Sequence, residues 1–327
     1  MKLLGLAMSL SIFLAVLGVG MRVMPGDLLC VLRTPSRLIK ALLAMNVLSP
    51  FVAIMICKAF SLHAAVIVAL ITLSIAPVGA LFSQGMLPLL APGHAAYARG
   101  LFFASTALSV VLTPLAVEVI QGIFGGNVHV NPLSVAQVTV GSVLLPLGIG
   151  LAIAHRRPTA REWIPALQKL SSLVLLVCGV VIIAGTWSLM GSVIRQGTLT
   201  AIILITLIGL AVGHFLGGPD EEDRTVLAFA TVSRHPGVAV AVASLTDQPL
   251  APIGVLLAVL VNEVAVLPYK RWRKRLHSAA PAAASARVGP SPAENRETVH
   301  TEAWRGTERR YHHDSSYPGP ERRHVLV

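Results

Sequence analysis

The run Ala230-Thr231-Val232-Ser233-Arg234-His235-Pro236-Gly237-Val238-Ala239 sets an arginine, a histidine, a proline and a glycine inside an apolar segment. Thr225 to Leu245 is long enough to cross a bilayer at about 1.5 Å per residue, and Arg234 falls near its midpoint, where an unpaired cation is expensive. Pro236 withdraws a backbone donor and Gly237 admits dihedrals that other residues avoid, so the segment reads as a broken membrane helix with charge at the break. Lipid cannot satisfy the freed amides and carbonyls, which must face protein or a water-filled cavity. Two kinds of chemistry suit these residues. Arg234 with helix amino termini can bind an anionic head group, with Thr231 and Ser233 as polar neighbours. Alternatively Arg234 forms an internal ion pair, for which Glu263 on the next apolar stretch comes at a similar depth and Asn262 adds a hydrogen bond. His235 is either a proton carrier or a donor to a freed carbonyl.

A second break, Ala76-Pro77-Val78-Gly79, lies five apolar stretches earlier, so the two run through the membrane in opposite directions. Paired interruptions of opposite polarity are the trace of an inverted-topology repeat, and discontinuous helices at the midplane are how secondary transporters build substrate sites. Pro77 and Gly79 therefore join the candidate substrate-binding residues.

The elements that position these breaks follow from composition. Of 327 residues 54% are hydrophobic and only 13% charged, and the mean hydropathy is +0.74, which marks a polytopic membrane protein. Roughly nine apolar stretches can be traced: Leu3 to Val23, Leu38 to Cys57, Leu62 to Ser83, Leu101 to Ile120, Leu133 to Ala154, Leu170 to Met190, Leu199 to Gly217, Thr225 to Leu245 and Leu250 to Pro268. The first has no small-x-small cleavage site and is read as a span. A first repeat of about 3–121 and a second of about 133–269 make up a transmembrane domain over 1–276. The second repeat has five helices and the first lacks one. Residues 277–327, rich in Ala, Pro, Ser, Arg and Glu, read as a disordered basic tail.

The net charge of +11 is concentrated in short loops and in the tail, which points to the lipid surface rather than to nucleic acid. Arg22, Arg33, Arg37, Lys40, Arg99, Arg156, Arg157, Arg161, Lys169, Arg224 and the run Lys270 to Arg275 fall on one side; Lys2, Lys58 and Arg195 fall on the other. The positive-inside rule then places the amino terminus outside and the carboxyl terminus in the cytoplasm of a multi-pass cell-membrane (inner-membrane) protein. Cys30, Cys57 and Cys178 lack metal-ligand spacing and read as packing residues. Gly209-x-x-x-Gly213-x-x-x-Gly217 is a ridge for close helix packing.

Four motifs together resemble the bile acid:sodium symporter superfamily: Val16-Leu17-Gly18-Val19-Gly20-Met21, Leu32-Arg33-Thr34-Pro35, Ala76-Pro77-Val78-Gly79 with Ser83-Gln84, and Ser233-Arg234-His235-Pro236-Gly237. The likeness extends over roughly Leu3 to Tyr269. It implies two inverted five-helix repeats, sometimes without the first helix, forming a panel and a core domain with crossed broken helices. It also implies carriage of organic anions such as bile acids, pantoate, pyruvate or sulfated sterols together with sodium. The family's sodium ligands come from the first break, from hydroxyls on the next helix and from an acidic residue before the second break. Those positions match Ser83 and Gln84, then Ser105, Thr106 and Ser109. The acidic position carries Ala230, and Arg234 stands where an amide is expected. A guanidinium repels a hard cation, so any sodium ion here must draw largely on backbone carbonyls.

The sequence thus predicts an all-α transporter for a small organic anion, rocking one helical domain against another. Ser83, Gln84, Ser105, Thr106, Ser109 and Glu263 are the candidates for coupling to sodium or protons. The rival is a non-transporting receptor or scaffold that binds a small anion in the same fold. No cofactor or resident metal is expected. An enzyme is disfavoured, because the chain has no His-Glu-x-x-His, no Gly-x-Ser-x-Gly and no paired aspartates within a span.

Overall fold

Apolar composition and the need to satisfy every backbone group inside a membrane dictate helices, and helices are what form. The computed structural model describes residues 2–79, 92–124, 131–194 and 197–287. In chain order these hold α1 (Lys2–Arg22), α2 (Pro25–Leu32), α3 (Pro35–Leu43), α4 (Ser49–Ala59), α5 (Ala64–Ile75) and α6 (Pro92–Phe124). Then come α7 (Pro132–Thr139), α8 (Leu145–Arg156), α9 (Ile164–Val193), α10 (Thr198–Leu216), α11 (Glu221–Val232), α12 (Pro236–Ala243) and α13 (Ala251–Arg287). Among the described residues, five stretches are long and apolar enough to span a bilayer: Pro35–Ala59, His94–Ile123, Pro132–Arg156, Thr198–Leu216 and Ala251–Leu276.

Two of these spans are continuous helices containing a π turn. Pro50 and Pro146 cannot donate to the helix, and in each case the chain absorbs the loss just before the proline. Ser49 N–H bonds Ala44 O and Leu145 N–H bonds Val140 O, five residues back rather than four. Pro114, by contrast, lies within the continuous α6.

The half-helices explain themselves by length. At about 1.5 Å per residue, α5 and α11 cover only about 18 Å of a core about 30 Å thick, so neither crosses alone. α5 is buried nearly all round, from Ala65 through Ile75, as expected of a helix without a polar face. α11 opens on Asp220 as N-cap residue with Glu221, Glu222 and Asp223 in its first turn, where carboxylates oppose the helix dipole. The glycine ridge of α10 lies against α11: a Cβ at Gly213 would come within 2.5 Å of Ala228 Cα, and one at Gly209 within 2.9 Å of Val232 Cγ1.

Most buried apolar side chains form one large cluster, and a smaller separate one joins Leu17 and Met21 of α1, Ala154 of α8, Ala160 and Ile164. Residues through Arg271 make one compact unit and a second begins at Trp272. α13 continues to Arg287, into the stretch whose composition reads as the start of the tail. The stretch holds six alanines, the strongest helix formers, against the single Pro281.

Candidate functional site

The two interruptions meet. α5 ends at Ile75 and α11 at Val232, and the chain beyond each becomes extended. Val78 and Arg234 pair there as an isolated antiparallel bridge. Gly79 N–H donates to Ser233 O at 2.8 Å, and His235 N–H donates to Pro77 O at 2.8 Å. Gly79 is required by the closeness of the two backbones, since a Cβ there would lie 2.9 Å from Arg234 O.

Four of the carbonyls freed near the crossing have side-chain donors, as an interior without water favours. Thr113 of α6 donates to Ile75 O at 3.2 Å. The remaining three go to one side chain. Arg234 Nε donates to Thr231 O at 2.9 Å, Nη1 to Ala76 O at 3.1 Å, and Nη2 to Met45 O. Met45 O is available because Ser49 N–H has turned to Ala44 and Pro50 has no N–H to offer. Arg234 is only 7% exposed and has no carboxylate partner among the described residues. The pairing of Arg234 with Glu263 does not form: Glu263 is half exposed on the outer face of α13, with its carboxylate 3.2 Å from Lys270 Nζ. A residue count along an apolar stretch does not give a side chain's direction, and Lys270 lies two turns along the same face.

His235 caps α12, its Nδ1 accepting from Val238 N–H at 3.3 Å, so the ring meets an amide rather than the carbonyl anticipated for it. Beside the α12 amino terminus lies a cavity of about 390 Å³, lined by Ser9, Ile12 and Phe13 of α1, Gly141 and Ser142 of the second π turn, and Gly237, Val240 and Ala241. Arg234 is not in its wall. It borders a separate space of about 40 Å³ with Ser49, Thr206, Thr231 and Asn262.

The Sodium Bile acid symporter family model matches residues 9–193, more than half the chain. The chain belongs to that family. Two of its relatives are Sodium/bile acid cotransporter 4 of Homo sapiens and of Rattus norvegicus, each 26% identical over 249 residues. Each match covers 73% of this chain and 56% of the relative, so the chain spans little more than half the length of those proteins. The family is one of multi-pass membrane transporters rather than enzymes.

Of the positions singled out for coupling in this symporter-family chain, Ser105, Thr106 and Ser109 share one stretch of α6 and Glu263 is on α13. Ser83 and Gln84 lie outside the described residues. On α6, Ser105 Oγ donates to Phe102 O at 3.0 Å and Ser109 Oγ to Thr106 O at 2.7 Å, the back-bonding usual for hydroxyls in apolar helices. Thr106 differs, with a fully buried hydroxyl that has no hydrogen-bond partner among the described residues. Thr231 Oγ1 donates to Leu227 O at 2.8 Å. Asn262 Oδ1 lies 3.0 Å from Thr206 Oγ1, joining α13 to α10. Replacing Thr206 with Val removes this link and is expected to lower stability by about 0.6–1.7 kcal/mol, read as a fall in the unfolding midpoint in detergent; an unchanged midpoint would show that the pair is incidental.

Residue types alone did not disclose the charge network where α3, α6 and α11 begin. Asp223, 1% exposed, pairs with Arg37 and holds His94 Nδ1 at 2.8 Å, while Arg37 also reaches Asp220 at 3.1 Å. A second bidentate pair joins Arg99 of α6 to Asp27 of α2, at 2.8 and 2.9 Å. The available signal was that Asp27 and Asp223 flank apolar stretches, where an acid seldom sits without a cation.

Proposed function

We propose that this chain is a secondary transporter that carries a small organic anion across the cell membrane by alternating access, coupled to a sodium or a proton gradient. The observation that carries the reading is the antiparallel crossing at Val78 and Arg234 with a cavity opening beside it. Broken helices meeting in this way give a transporter both a rigid centre and half-helix termini to face a ligand. The α12 amino terminus, Ser9 and Ser142 would receive the anionic head group, and Ile12, Phe13 and Val240 its apolar body. The two relatives, both named sodium/bile acid cotransporters, agree with an amphipathic anion.

In this reading the helices form nine spans in inverted repeats over about 3–121 and 133–269, with the amino terminus outside and the carboxyl terminus cytoplasmic. The small cluster around Leu17, Met21 and Ile164 is the centre of a panel domain, and the large cluster around the crossing is the centre of a core domain. Transport is relative motion of the two, with the cavity at their boundary.

Proteoliposomes holding the chain should accumulate one or more of taurocholate, pantoate and pyruvate under an inward sodium or proton gradient, and the gradient required identifies the coupling ion. Gly141 has open space where a Cβ would go, so Gly141→Trp fills the cavity without disturbing the fold. Uptake by that variant should drop to the level of empty vesicles while its melting temperature stays put. Gradient-independent uptake by the wild type, or full uptake by Gly141→Trp, would overturn the proposal.

A further inference from the structure

Three separate stretches each bring a main-chain carbonyl to the Arg234 guanidinium. Thr231 O is released because His235 N–H turns to Pro77, Ala76 O because the helix stops at Ile75, and Met45 O because Pro50 lacks a donor. Carbonyls gathered where helices are interrupted form the ligand set that alkali cations take inside membrane proteins, in place of their hydration shells. The space of about 40 Å³ alongside adds the hydroxyl-bearing residues Ser49, Thr206 and Thr231 and the amide of Asn262, and it is wide enough for a water-sized occupant. The charge here is balanced by dipoles alone, because no described carboxylate pairs with Arg234. Arginine suits such a place better than lysine, being the more weakly hydrated cation and presenting several donors in a fixed plane.

We infer that the Arg234 guanidinium is a tethered cation filling a carbonyl cage at the helix crossing, and that the same cage, freed of the side chain, binds an alkali-metal ion. The wild type therefore carries its positive charge covalently at this position and needs no free cation there. The inference goes beyond the transport reading and is tested by melting alone, so its failure and the failure of that reading are distinguishable.

The experiment compares wild type, Arg234→Ala and Arg234→Gln, each purified in detergent in sodium, potassium, lithium or choline chloride at equal ionic strength. The wild type sets the reference in each salt, and every loss is read against it. Arg234→Ala in choline should melt at least about 5 °C lower, and at least one alkali cation should restore most of the loss along a saturable curve. Arg234→Gln keeps a donor and an acceptor on the cage and should show a smaller loss with the same cation preference. Equal melting of both folded variants in alkali and choline salts would overturn the inference and leave Arg234 as a hydrogen-bonding clamp only. Saturable cation stabilisation no larger in the variants than in the wild type would overturn it too, by placing the cation elsewhere. Failure of both variants to fold in any of the four salts counts equally against it, because a free cation is required to take the side chain's place.

Discussion

Gly79→Val should cost the protein about 2–6 kcal/mol and all transport. The added Cβ would lie 2.9 Å from Arg234 O and 3.2 Å from Arg234 C, and both obstacles are backbone, so no side chain can swing away. Relief requires the extended segments to part, breaking Gly79 N–H to Ser233 O and His235 N–H to Pro77 O. With no water to replace them, each pair of stranded groups costs about 1–3 kcal/mol. The same separation draws Ala76 O away from Arg234 Nη1, so the guanidinium loses one of its three acceptors. Gly122→Ala is the control, since nothing lies within 4 Å of a Cβ there, and it should change stability by less than about 1 kcal/mol. Thermal unfolding in detergent, with folded yield from membranes as a second readout, measures both. A Gly79→Val protein that melts with the wild type would show that the two breaks do not touch as described.

The breaks were legible in the sequence because proline and glycine act on their own backbone and here fall together: Pro77 and Gly79 follow the end of α5 and Pro236 opens α12, whereas the lone Pro114 lies within α6. The ridge Gly209, Gly213 and Gly217 was legible for a related reason, since spacing by four residues places small residues on one face. The partners of Arg234 were not, because a carbonyl has no sequence signature. Met45 O is free only through the absence of an N–H at Pro50, and Pro50 announces a kink without saying which distant side chain will use it. Glu263 illustrates the opposite failure, a residue with the right charge whose half-exposed carboxylate meets Lys270 instead. The cavity was hidden too: Ser9, Gly141 and Ser142 are small residues on two dispersed stretches, and only packing brings them to the amino terminus of α12.

Arg37→Met should destabilise the protein by about 3–5 kcal/mol, and more than Asp223→Asn, although each removes the same ion pair. The asymmetry comes from burial. The Asp223 side chain is 1% exposed and that of Arg37 is 38% exposed. Without Arg37, the Asp223 carboxylate stays desolvated with His94 Nδ1, at 2.8 Å, as its nearest polar partner. Without the Asp223 charge, Arg37 keeps Asp220 at 3.1 Å and its access to water, and the neutral amide that replaces the carboxylate no longer bears the cost of burying an ion. The double variant Arg37→Met with Asp223→Asn should therefore recover stability relative to Arg37→Met alone, an interaction that a cycle of four melting curves measures directly. Equal losses from the two single substitutions would mean that water reaches Asp223. The network ties the amino-terminal ends of α3, α6 and α11 together, and α11 ends at Val232, two residues before Arg234 of the crossing. A loosened Asp223 should thus be felt through one rigid half-helix at Ser233 and Arg234, where Gly79 and three carbonyls depend on that helix ending in its present place.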